Sequence, residues 1–348
     1  PLLDGLVAGG DLMKVGAEYS LQTREGAAWS DEFKRRVSQR LNDTGHLDSF
    51  RTDRLRETAE EKLKKVTLQQ GASLTLRKLQ VHYDATAPGP GGDAVQVWIR
   101  DDWAEAETTV RSEAQAEGTG SPRLFVFLPR KSPNDLKTAI ASRMAAEETL
   151  HARGNPTTDE GREARKSIES KLNDANNGEK GIVAILGEVF ADTKVFQGGG
   201  AETSGKPLAE LVQEAAQSSL VRLFPQFDVA DHAGWRTVFT RARSGAANAL
   251  EAVGFNGNPE SHPVGGAIKT FIGAGRRGSD IRKQFGAAPF GWPQDAIDAA
   301  LMTLLTAGHL RATANGNPVN ASALAQSSIG ATDFRVEIPS LSANQRIG

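Results

Sequence analysis

Residues Ala274–Val319 read AGRRGSDIRKQFGAAPFGWPQDAIDAALMTLLTAGHLRATANGNPV. This stretch decides the fold of its end of the chain, because its punctuation is unusually legible. A short basic segment comes first, then a turn with Pro289 and Gly291, a longer apolar helix and a tight hairpin. Pro293 suits a first helical residue, where its missing N–H costs nothing. Gly308 suits the left-handed residue that closes a helix. Ile297, Ala300, Leu301, Leu304 and Leu305 recur at helical spacing, which predicts one buried face. His309–Thr313 reads as a strand, and Asn315-Gly316 is a strong two-residue hairpin signature. Together these elements predict a winged helix.

Working outward, the rest of the chain predicts an α/β domain with a long helical hairpin, followed by an all-α region and the C-terminal winged helix. Lys14–Thr23 alternates like a half-buried strand whose partner is expected upstream of Pro1. Ser30–Lys65 reads as helical, with Ser30 as its N-cap. Leu74–Tyr83, Ala94–Ile99 and Arg123–Leu128 read as strands, the last two apolar enough to be covered on both faces. A helix expected over Trp103–Glu117 makes them a parallel pair. Pro133–Ala152 and a helix from about Asp159 form the hairpin, broken at Gly154-Asn155-Pro156. Ile182–Phe190, Leu208–Phe224 and Trp235–Val253 are further helices, with a short strand at Thr193–Phe196 and a last one at Phe334–Ile338. The expected divisions are 1–70, continuing an upstream domain; 71–200, the α/β domain; 201–258, helical; and 259–348, the winged helix.

Composition narrows function mainly by exclusion. The 348 residues contain no cysteine, which removes disulfides, thiolate zinc sites and a cysteine nucleophile. The six histidines show no metal-ligand spacing. No apolar run approaches the ~20 residues that span a bilayer, and no signal-peptide pattern opens the chain. A cytoplasmic protein is expected, and the start at Pro1 suggests a processed chain or a piece of a longer one. Formal charge is −2, so any nucleic-acid contact must come from a local patch. The candidate patch is Lys269, Arg276, Arg277, Arg282, Lys283 and Arg311. The helix expected to enter a groove, Gln294–Ala307, has no Arg or Lys and is expected to expose Asp295 and Asp298. Base-specific readout by it is therefore not expected. Two readings stay open: contact with DNA of any sequence, or a protein-interaction module.

Three segments invite catalytic readings and support plainer ones. Gly200–Pro207 (GAETSGKP) matches a phosphate-binding loop except at its last position. Pro207 supplies neither the hydroxyl for Mg²⁺ nor a backbone N–H for phosphate, so a glycine-rich lead into a helix is expected. Asp102, before Trp103, reads as an N-cap. His232 with Asp228 or Asp231 reads as a loop hydrogen bond, since no nucleophile motif accompanies it.

Several segments resemble one family. GSDIRKQF and FGWPQDAIDAAL (Gly278–Phe285, Phe290–Leu301) resemble the C-terminal half of the P-loop proteins of BREX phage-defence systems, the BrxC/PglY type. So do Gly16–Glu25, Val97–Asp101, Phe125–Arg130, Ala146–Leu150, Gly161–Arg165, Leu223–Phe227, Phe334–Glu337 and Leu341–Ile347. The resemblance implies an AAA+ ATPase whose nucleotide-binding core lies upstream of Pro1. It implies ATP and Mg for the intact family, and no cofactor and no catalytic residue in this chain. It also implies other BREX components as partners and homo-oligomerisation through the missing core.

Overall fold

The computed structural model describes residues 2–9, 12–15, 18–21 and 23–337. Helix α1 (Leu2–Gly9) precedes strands β1 (Leu12–Val15) and β2 (Glu18–Leu21), which pair antiparallel with each other. The single strand expected over Lys14–Thr23 is therefore two short strands that pair with each other. Helix α2 (Arg24–Asn42) begins earlier than expected because Thr23, not Ser30, caps it. The Thr23 hydroxyl accepts the Gly26 N–H at 3.0 Å. Helix α3 (Thr44–Leu63) follows a break at Asp43.

A six-stranded mixed sheet lies at the centre of the first half. Its strands are β3 (Leu68–Gln70), β4 (Thr75–His82), β5 (Ala94–Asp101), β6 (Leu124–Leu128), β7 (Lys194–Gln197) and β8 (Glu202–Thr203), in spatial order 3-4-5-6-7-8. β4, β5 and β6 run parallel; β3 and β7 are antiparallel to them, and β8, antiparallel to β7, runs in their direction. β5 and β6 are buried throughout, β6 as an unbroken apolar run and β5 with Gln96, Arg100 and Asp101 buried among its apolar residues. Alternate residues serve opposite faces. Trp98, Phe125 and Phe127 pack with Phe196 and helix α4 (Glu107–Ala116), whereas Val97, Ile99, Leu124 and Val126 join the larger core. α4 starts four residues later than expected. Asp101, rather than Asp102, is the acceptor at that corner, taking the Trp103 and Ala104 N–H groups at 3.0 and 3.2 Å.

Helices α5 (Pro133–Arg153) and α6 (Asp159–Asn177) form the hairpin, and α2 packs beside them. Trp29, Ala146, Ala164 and Ile168 make a small core there. Helices α7 (Ile182–Ala191) and α8 (Leu208–Leu223) complete the cover of the sheet.

A second core gathers α9 (Trp235–Arg243), α10 (Pro263–Ile272), β9 (Arg276–Arg277), α11 (Gly278–Gly286) and α12 (Gln294–Thr306). It also includes β10 (Leu310–Ala314), β11 (Asn317–Val319) and β12 (Asp333–Val336). The helix expected to run to Val253 stops at Arg243; Gly245 takes φ +86 and a 3-10 turn occupies Ala249–Val253. The hairpin at Asn315-Gly316 forms with φ +51 and +79, the left-handed pair that Asn-Gly favours. The sheet order is β11-β10-β12-β9, all antiparallel.

Several polar contacts join the two cores. Arg77 lies 4.0 Å over the Phe224 ring and donates to the Gly291 carbonyl at 2.6 Å. Trp292 Nε1 donates to the Gln226 carbonyl at 2.8 Å. The Asp231 carboxylate accepts the Ala72 and Ser73 N–H groups at 2.7 and 2.8 Å, against the turn at Gly71. A Cβ at Gly71 would meet that carboxylate, and φ there is +67.

Candidate nucleic-acid interface

Helix α12 is the element on which a DNA-reading hypothesis stands or falls. Ala296 through Leu304 are all buried, so the helix is enclosed on every side rather than along one stripe. Asp298, expected on the surface, is fully buried. It accepts from Arg282 Nε at 2.8 Å and Nη2 at 2.9 Å, and from Gln326 Nε2 at 3.0 Å. Asp295 is half-buried and accepts from the same Gln326 amide at 2.7 Å. Over Ala296–Leu304 the helix presents no side chains to a groove of DNA, and only Gln294 at its start is exposed before the last turn.

The six cations singled out from the sequence separate into two groups. Arg282 belongs to the buried pair with Asp298 and also donates to the Gln326 carbonyl at 2.9 Å, so it is structural. Lys269 pairs with Glu260, whose carboxyl that hydrogen bond holds below its usual range. Arg311 is exposed and pairs with Glu337. Arg276, Arg277 and Lys283 are exposed and have no carboxylate partner among the described residues. Arg276 lies 5.4 Å from the Phe271 ring centroid.

The register of the small sheet organises the surface around them. Leu310, Ala312 and Phe334 point into the core, so Arg311, Thr313, Asp333 and Arg335 occupy the outer face. Arg311 stands directly opposite Arg335, and Arg277 opposite Asp333. Like charges in directly opposed positions repel. Glu337 neutralises Arg311, while Arg335 has no carboxylate partner among the described residues. Beside this row a groove of about 1080 Å³ runs between the end of α9, the β10–β11 hairpin and β12. Arg243, exposed at the end of α9, flanks it and donates to the Ser322 carbonyl at 3.3 Å. Arg243, Arg311 and Arg335 thus line one groove together with Glu337, the partner of Arg311.

Arg243 and Arg335 were missed in the sequence reading. The alternation Asp333-Phe334-Arg335-Val336 does place Arg335 on an outer face. Its neighbours, however, depend on pairing with β10, and Arg243 arrives from a distant helix.

The other candidates have structural roles. Lys206 of the near-P-loop pairs with Glu214 of α8 at 2.6 Å, which raises its pKa, and α8 begins directly after Pro207. Asp101 is occupied by two N–H groups and by the Tyr83 hydroxyl at 2.8 Å. Burial, then Asp101, pushes the Tyr83 phenol upward, so it remains a donor. The hydrogen bond expected between His232 and Asp228 or Asp231 is replaced by others: His232 Nδ1 accepts the Gly234 N–H at 2.8 Å, and Asp231 takes the Ala72 and Ser73 N–H groups. Among the described residues no cluster of three or more His, Asp or Glu side chains could hold a metal ion, and no helix is long and apolar enough to cross a membrane. Comparison with protein-family models, curated proteins and solved structures found no match.

Proposed function

We propose that this chain is a non-catalytic C-terminal part of a BREX-type AAA+ ATPase, acting in the cytoplasm with other defence components. Residues 263–336 serve in this proposal as a winged-helix-type module that couples the motor to duplex DNA without reading its sequence. The order α10–β9–α11–α12–β10–β11–β12 supports the winged-helix reading. The observation that carries the DNA reading is a contrast of surfaces. The helix in the base-reading position is enclosed, while Arg243, Arg277, Arg311 and Arg335 stand open on the sheet and groove. Such cations contact phosphates and carry no base information.

Fluorescence anisotropy on two short duplexes of unrelated sequence tests this. Equal affinities are expected, with log K falling against log salt at a slope of about −3, the value for three to four phosphate contacts. A protein-docking role is the second reading, favoured by Asp333 and Glu337 within the arginine row. No binding at low salt, together with capture of a BREX component, would establish it instead.

A further inference from the structure

The edge of the large sheet offers a second surface, unrelated to the arginine groove. β3 is only three residues long and pairs with β4 at Thr75–Arg77. From Lys78 to His82, β4 pairs with β5 on one side and, among the described residues, with no strand on the other. Half of its backbone N–H and C=O groups there point to an open edge, a template for another strand. Beside that edge lies a groove of about 620 Å³ between β4 and the end of α3. Its apolar lining is Leu63, Val66, Leu79 and Val81. Its rim carries Glu57, Glu60 and Glu61 against the single Lys64. Glu57 pairs with Arg54 at 2.8 Å, whereas Glu60 and Glu61 are exposed and have no cationic partner among the described residues.

We propose that this edge binds an extended, basic segment of a partner protein by strand addition to β4. Main-chain hydrogen bonds to Lys78–His82 would hold the segment, continuing the line of β3. Every second side chain would face α3. A lysine or arginine there lays its aliphatic stem over Leu63, Leu79 and Val81 and brings its cation to Glu60 and Glu61. An apolar side chain would fill the groove but leave the glutamates unanswered, and an acidic one would be repelled. This charge complementarity selects a basic strand.

The test uses a capped peptide of alternating lysine and threonine, its glutamate–threonine counterpart, and the lysine peptide N-methylated at alternate amides. The lysine peptide is expected to bind the full chain and slow hydrogen exchange at Lys78–Val81. The acidic and N-methylated peptides are expected to lose binding. Replacing exposed Glu60 and Glu61 with lysine should weaken the lysine peptide roughly tenfold or more with the fold unchanged by circular dichroism. Failure of the lysine peptide to bind would overturn the proposal. So would binding without protection of β4, or equal binding by the N-methylated peptide.

Discussion

Arg282 grips Asp298 from the neighbouring helix and also donates to the Gln326 carbonyl. In the sequence it is one of a run of cations, and Asp298 is a helix carboxylate expected to face solvent. The fold instead brings them together as a two-point pair, with Asp298 fully buried. Nothing local signals this, because Asp298 is buried by the turns packed around α12 rather than by its own neighbours in sequence. Removing one partner of such a pair strands a buried charge. Arg282→Ala should therefore cost about 3–5 kcal/mol in urea unfolding. The double replacement Arg282→Met with Asp298→Leu should recover most of that loss; a single variant as stable as the native chain would contradict the assignment. Charge reversal at Arg282 would then damage the fold rather than report on DNA.

At the scale of elements, legibility follows how local the determinants are. The Asn315-Gly316 hairpin and the span of α12 were readable, since turn residues and periodicity specify them. The parallel pairing of β5 and β6 followed from two apolar runs around a helix. Thr23 rather than Ser30 caps α2, since either hydroxyl could serve, whereas α4 starts at Glu107 with no side-chain cap because Asp101 closes the turn ahead of it. The arginine row was legible only in part: Arg311 is visible as a cation, but its opposition to Arg335 is a matter of strand register. That opposition has a measurable cost. Arg335→Thr removes a like-charge pair and adds a strand-favouring residue, so it should raise thermal stability at low salt by an amount equivalent to a few tenths of a kcal/mol. The same change should weaken duplex binding. A less stable variant would contradict the like-charge opposition, and one that binds DNA as tightly would remove Arg335 from the interface.

At the scale of the molecule, two cores are latched by Arg77, Trp292 and Asp231, and none of these contacts could be read from sequence spacing. Burial pushes the Arg77 guanidinium down to about 10, which leaves it charged at neutral pH. Burial also raises the Asp231 carboxyl, but hydrogen bonds from Ser73 and Ala72 outweigh it and hold the group below its usual value. A carboxyl lowered on folding stabilises above its unfolded pKa of about 3.9 and loses that contribution as pH falls through the folded value. Asp231→Asn should therefore reduce stability near neutrality and flatten the acid limb of the stability curve; an unchanged limb would show that the latch is not titrating. In the proposed function the groove of Arg243, Arg311 and Arg335 is the contact with duplex DNA. Anisotropy of a short duplex with the Arg243→Gln/Arg311→Gln/Arg335→Gln variant, measured across about 50 to about 200 mM salt, tests this most directly. The expected result is loss of binding with the salt slope reduced by about 3 and the fold intact. Native affinity and slope in that variant would contradict it.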